Sequence, residues 1–274
     1  MSATTGRLPE FENPPVSEVA LSVAFSPLPQ WQSPHAGLYW GRIRSRYPHT
    51  EVHPPIPLQI EQFGDQFWQT PMVRFQIAEA DIARTWFLAE PKTHIIQVQR
   101  DRFITNWRKV EGTETYPRYL KEVRPRFVKE WNEFKEFAAE QNVGEISVQQ
   151  CEITYINDVI QGEGWSDFRE ALELFSPQWP GKHDVFLPIP ETLSTVGSFR
   201  MPGELGRLHF AIQHVRRQID NRQALQLRLI ARGKPNSGSD ADVMEWMDIG
   251  HEWIVRGFAD LTSDRAHDLW KRRQ

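Results

Sequence analysis

The sequence predicts an α+β fold of two similar halves, each an antiparallel sheet with a short and a long helix packed on one face. Three observations predict it. Short runs alternate apolar and polar residues, as at Val19, Leu21, Val23 and Phe25, which is the period of a strand with one buried face. Two long segments space their apolar residues three and four apart, the period of a helix with one buried stripe. The order strand, short helix, several strands, long helix occurs twice, over 16–143 and over 144–274, behind an extended arm at 1–15. The repetition is one of element order, with no residue-level period.

Each element follows from local chemistry. The arm is polar and closes on Pro14-Pro15. The first strand, over 19–25, ends at Pro27 and Pro29. A short helix is expected over 33–47, with Ser33 as N-cap and Pro34 at the first helical position. A link rich in proline (Pro54, Pro55, Pro57) leads to β-prone runs at 58–60, 73–77, 84–89, 94–99 and 103–107. Arg100-Asp101-Arg102 turns between the last two. The widest helical stripe is Tyr116, Leu120, Val123, Phe127, Trp131, Phe134 and Ala138. Pro117 fits its first turn, Pro125 should kink or split it, and Asn142 to Gly144 stop it.

The second half opens with a strand over 145–156, a turn at 161–164 and a short helix over 166–175, with Ser166 as a candidate cap. A loop rich in proline and aromatics spans 176–190. Strands are expected near 193–199, 208–219 and 225–231, with a turn at Asp220-Asn221-Arg222 and a flexible loop over 233–239. Asp240 opens a helix whose buried face should include Val243, Trp246, Gly250, Trp253, Ile254, Gly257 and Phe258. A last helical turn, capped by Ser263, carries Leu269 and Trp270.

Composition narrows the function. With 11 Trp and 16 Phe, the core or an interface is rich in rings, each burying about 150–250 Å². A formal charge of −4 argues against uniform binding to phosphate backbones or membranes. The one cysteine, Cys151, excludes an intrachain disulfide and a cysteine-based zinc site. Its apolar surroundings read as a small buried hydrophobe rather than a nucleophile. No apolar run suits a signal peptide or a membrane span, so a cytoplasmic location is expected by elimination. Gly203, Gly206, Gly233 and Gly238 are too scattered for a phosphate loop, and no Gly-x-Ser-x-Gly or HExxH pattern occurs. The residues therefore assign no catalytic group, cofactor or metal.

Six groups of residues carry a family resemblance. They are Asn13-Pro14-Pro15-Val16 with Glu18-Val19; Gln97-Val98-Gln99 with Asp101-Arg102-Phe103; Asn106-Trp107-Arg108; Tyr119 through Trp131 to Phe134; Tyr155-Ile156-Asn157; and His251, Phe258, Leu261-Thr262, His267 and Trp270. In this order, and over almost the whole chain, they resemble a sporadically distributed family of bacterial proteins of about 260 residues without a settled activity. The resemblance implies a setting, mobile or phage-defence loci, and no mechanism. Two halves that joined their sheets would make a curved surface like the saddle of TATA-box-binding proteins or a helix-grip fold, an analogy of fold that carries no function.

Candidate binding residues follow from strand parity. Asn106 and Arg108 share the face opposite Trp107, a polar pair suited to an anion or a partner carboxylate. The plainer reading makes Trp107 core and has the two polar side chains hold the hairpin. Arg216, Arg217, Arg222, Arg228 and Arg232 fall in one hairpin, and Arg42, Arg44 and Arg46 form a second basic stretch. These are either a local patch for a phosphate-containing ligand or solvated surface paired with acidic residues. His251, with His267, Asp264 and Asp268 in the tail, is either an acid–base or metal candidate or a helix-packing histidine bonded to backbone. His209 and His214 are set aside, because odd spacing puts them on opposite faces.

The function expected is non-enzymatic recognition of a partner protein, a toxin or effector encoded nearby, with aromatic and arginine anchors. One alternative is a small-molecule or nucleotide module with a pocket between sheet and long helix. A further alternative is a nucleic-acid binder using the curved sheet. A homo-oligomer is compatible with all three.

Overall fold

The computed structural model describes residues 6–63, 83–175, 192, 194–217 and 220–273. Among these, alternation in the sequence produces nine strands: β1 (Val16–Phe25), β2 (His49–His53), β3 (Arg84–Leu88), β4 (His94–Gln99), β5 (Arg102–Arg108), β6 (Val148–Ile160), β7 (Ser194–Arg200), β8 (Arg207–Arg216) and β9 (Gln223–Gly233). They form one sheet in the order β2-β3-β4-β5-β1-β6-β9-β8-β7. Every neighbouring pair is antiparallel. The helices are α1 (Ser33–Ile43), α2 (Arg124–Glu140), α3 (Phe168–Leu172), α4 (Asp240–Leu261) and α5 (Asp264–Leu269).

The two long helices cover one face, because that face is where alternation puts the apolar side chains. Val19, Leu21, Val23 and Phe25 of β1, Cys151 and Ile153 of β6, and Leu225, Leu227, Leu229 and Ala231 of β9 have no exposure. Trp131 and Phe134 of α2 pack on Phe25 and Phe103, with the Phe103 and Phe134 rings stacked at 5.0 Å. Tyr39 of α1 meets Phe134 and Phe87 edge-on, at 5.6 and 5.5 Å, the offset geometry that ring quadrupoles favour. Trp246, Met247, Ile254 and Phe258 of α4 complete one continuous core. At Gly257 a Cβ would lie 2.3 Å from Leu208 Cδ2, so glycine there lets α4 sit close on β8.

Several elements depart from the sequence reading. The cap of α1 is Gln32, whose N–H donates to His35 Nδ1 at 2.9 Å, and Ser33 is already helical. The β-prone run 58–60 is no strand: it lies just after three prolines and pairs with no strand. The runs 73–77 and 176–190 lie outside the described residues. The long stripe is split, as Pro125 requires. A π-helical turn (Tyr119–Val123) precedes α2, and Pro125 occupies the first turn of α2, where no N–H is needed. Pro117 falls ahead of both. The wider π turn buries Tyr119 and Val123 but leaves Leu120 69% exposed, while Glu130 and Phe137 join the buried face. Trp253 and Gly257 are half-buried, and Leu269 faces solvent while Trp270 is buried. The arm docks on the tail: Phe11 bridges to Arg272 and its ring packs edge-on against Phe258 at 5.2 Å. No helix of the described residues is long and apolar enough to cross a membrane.

Candidate functional site

Residues directly opposite in an antiparallel pair share a face, so the register reads out the face that the long helices leave uncovered. One row across it runs Arg108, Glu18, Ile156, Arg228, Ala211, Val196. The next runs Asn106, Ala20, Thr154, Ile230, His209, Ser198, and the third Ile104, Ser22, Glu152, Arg232, Arg207, Arg200. Gln99, Arg102, Ala24 and Gln150 form a fourth. Polar side chains outnumber apolar ones on this face.

Its N-terminal half carries a chain of side-chain hydrogen bonds across four strands. Arg84 Nη1 donates to Gln97 Oε1 at 2.8 Å, Gln97 Nε2 to Asn106 Oδ1 at 2.7 Å, and Asn106 Nδ2 to Glu18 Oε1 at 2.6 Å. Burial raises the pKa of Glu18 above the ordinary value, against the Asn106 bond and the nearby Arg108 charge. Arg108 lies over the Trp86 ring at 5.7 Å and donates to the Lys92 carbonyl at 3.3 Å. Asn106 and Arg108 thus do share the face opposite the buried Trp107, and they also brace the strands beneath them.

Residues 54–63 cross this face as a strap. Gln99 grips Ile56 at both backbone atoms: Nε2 donates to the carbonyl at 2.9 Å and Oε1 accepts from the N–H at 2.8 Å. Gln150 repeats the arrangement, donating to the Gln59 carbonyl at 2.6 Å and accepting from the Glu61 N–H at 2.8 Å. Arg102, buried and with its Nε unpartnered, reaches the Pro57 carbonyl at 3.5 Å. Burial pulls its pKa down, with Glu152 and Asp101 opposing. The contacts of the strap run from Gln99 of β4 to Arg207 of β8, and Pro54, Pro55 and Pro57 favour an extended chain.

The strap ends in a basic cradle. Glu61 accepts from Arg207 Nη1 at 2.6 Å and from His209 Nε2 at 2.6 Å, and Arg232 Nη1 stands 3.5 Å away. Only 6% of the Arg207 side chain and 8% of the Glu61 side chain are exposed. Burial opposes the Glu61 charge, but the bonds from His209 and Arg207 and the Arg232 charge outweigh it and hold the pKa below the usual carboxylate value. Arg232 Nε also donates to Glu152 at 2.6 Å. Phe63 lies under the guanidinium groups of Arg207 and Arg200, at 4.7 and 5.3 Å. Beside the cradle is a cavity of about 360 Å³ lined by Val196, Ser198, His209, Ala211, Arg228 and Ile230. Arg228 is exposed there and makes no hydrogen bond or ion pair among the described residues.

The other predicted residues go elsewhere. Arg216 donates to the Asn221 carbonyl at 3.2 Å and Arg217 pairs with Asp220 at 3.3 Å, so both brace their own turn. Arg222 pairs with Glu163, while Arg42 and Arg46 pair with acidic residues of α2. The hairpin arginines therefore do not converge: Arg228 and Arg232 reach the uncovered face and the rest do not. Among the described residues the His251 ring makes no hydrogen bond to backbone. It stacks on Tyr119 at 3.9 Å, and its Nδ1 lies 3.3 Å from the Tyr155 hydroxyl, which in turn meets the Tyr116 hydroxyl at 2.7 Å. Burial pulls the His251 pKa down to about 4, against the Asp248 charge, and pushes Tyr116 up to about 12. These rings line a largely apolar cavity of about 690 Å³ that the N-terminal arm, the 116–121 segment and α4 enclose over β6. They stay uncharged at neutral pH, which suits packing and hydrogen bonding rather than proton transfer.

Glu61, Gln150 and Arg207 escaped the sequence reading; Gln99 entered it only within the family motif, and His209 was set aside because it lies opposite in face to His214. The available signal was Gln97 and Gln99 alternating with apolar residues on a central strand, where uncommitted polar side chains are rare. Among the described residues no group of three or more His, Cys, Asp or Glu side chains is placed to hold a metal ion. Comparison with protein-family models, with curated proteins and with solved structures finds no match to this chain.

Proposed function

We propose that this chain is a binding protein that recognises an extended segment of a partner protein on the uncovered face of its sheet. One observation carries the reading: the Gln99 and Gln150 amides each donate to a carbonyl and accept from an N–H of a crossing chain. A peptide backbone offers both partners. A DNA backbone offers acceptors only and could not satisfy the two glutamine oxygens, which favours a peptide over a DNA backbone. The family resemblance supplies a setting in which that partner is a toxin or effector encoded nearby.

The element order supports a saddle of two related halves of the TATA-box-binding kind. β1 and β6 lie side by side at its centre. Each is followed by a short helix, a meander whose last strand returns to it (β5 on β1, β9 on β6) and a long helix. In this reading the strap lies where such a saddle holds its ligand.

The test uses Arg228, which is exposed and unpaired among the described residues, so R228E should leave the fold intact. From the native source at endogenous level, the yield of co-purifying partner should fall about fivefold or more in R228E at an unchanged melting temperature. An equal yield from both proteins removes this face as the binding surface. A wild-type chain that runs alone in every fraction removes the reading altogether.

A further inference from the structure

We infer that Arg207, His209 and Arg232 form a carboxylate-binding site on this face, and that residues 54–63 are the chain's own stand-in for the partner. The partner segment is then extended and carries an acidic residue two positions ahead of an aromatic one, as Glu61 stands ahead of Phe63. This rests on the peptide-binding reading above and adds to it the chemistry of the ligand and a competition for the site.

Connectivity does not require the strap. β2 and β3 pair directly, from His49↔Leu88 to His53↔Arg84, and such a hairpin needs a loop of about two to five residues. Residues 54–83 lie between them instead, and their first stretch is laid across the sheet from β4 to β8. The cradle is built: two arginines and a histidine converge on one carboxylate in a nearly closed setting, with a guanidinium pair over the aromatic ring that follows. Glu152, held by Arg232 at 2.6 Å, adds a negative charge beside the cradle and so disfavours a phosphate dianion relative to a singly charged carboxylate.

The hold on the strap is of a kind that another chain can replace. Leu58 and Ile60 point outward at 41% and 44% exposure, so the strap is held mainly by hydrogen bonds to its backbone, by the Glu61 carboxylate and by the Phe63 ring under two guanidinium groups. Tethering keeps it at high effective concentration over the site. A partner with the same pattern must displace it, which makes the strap an internal competitor.

The experiment uses the full chain and a labelled peptide of the 54–63 sequence, with a second peptide in which glutamine replaces the glutamate. The E61Q/F63A protein should bind the first peptide about tenfold or more tightly than wild type does, and the second about tenfold more weakly than the first. In wild type, excess first peptide should speed hydrogen exchange over 54–63. Equal binding by both proteins, or by both peptides, overturns the proposal, as does displacement of the peptide by millimolar inorganic phosphate as readily as by excess unlabelled peptide. Should the double variant not fold, the wild-type exchange experiment decides alone, and unchanged exchange overturns the proposal. Partner capture that remains sensitive to R228E while the peptide fails sinks this inference and leaves the broader reading standing; loss of both sinks the two together.

Discussion

Glu130 is a carboxylate set into the aromatic face of α2, with 1% of its surface exposed. The Tyr47 hydroxyl donates to one of its oxygens and the other has no partner among the described residues. Burial raises its pKa to about 7, against the Tyr47 bond and the Arg126 and Arg46 charges. The folded chain therefore holds this proton where the unfolded chain, near 4.5, has released it. Its stability contribution is present below pH 4.5 and is lost as pH rises through about 7. E130Q should be more stable than wild type by up to about 3 kcal/mol near pH 8 and about equal near pH 4, read by urea denaturation at both. A wild-type stability that stays flat across this window contradicts the assignment. The helical period places Phe127, Trp131 and Phe134 in the core but gives Glu130 no reason to be there. Asn106 and Arg108 were legible because alternation alone fixes their face. Glu61, Arg207 and His209 were not, because their meeting is set by how the chain returns across the sheet, which no local period encodes.

At the scale of elements, Pro125 announced the break before α2, since a ring without an N–H belongs only in a first turn. Residues 58–60 misled, because Leu, Gln and Ile after prolines suit an extended chain whether or not a neighbour pairs with it. The end of β9 is fixed by close backbone crossing. A Cβ at Gly233 would fall 2.0 Å from the Leu205 carbonyl oxygen and 2.7 Å from Gly206 Cα, and backbone cannot rotate aside as a side chain can. G233A should therefore destabilise the fold by about 2 kcal/mol or more in a thermal melt, through forced strand displacement next to Arg232. A melting temperature equal to wild type would show that this crossing is looser than the geometry states.

Across the whole molecule the sheet is continuous through the β1–β6 pair, where Leu21 faces Ile153 and Val23 faces Cys151, all without exposure. Cutting the chain between 143 and 144 would bare both strands along edges whose core-facing side chains are buried. Each fragment alone should give no dispersed amide spectrum, and mixing the two should restore one. A fragment that melts cooperatively as a monomer would contradict this. The α+β class and the antiparallel pairing were legible from alternation and turn chemistry. The joining of all strands into one sheet entered only as the condition of the saddle analogy, because nothing in either half alone names its neighbour.

Cys151 sits at that centre, opposite Val23 on one side and Gly233 on the other, and burial pushes its thiol toward the unreactive protonated form. The sequence contains no second thiol. An alkylating reagent can reach this sulfur only when the middle of the molecule opens, so the labelling rate serves as an intrinsic clock for that event.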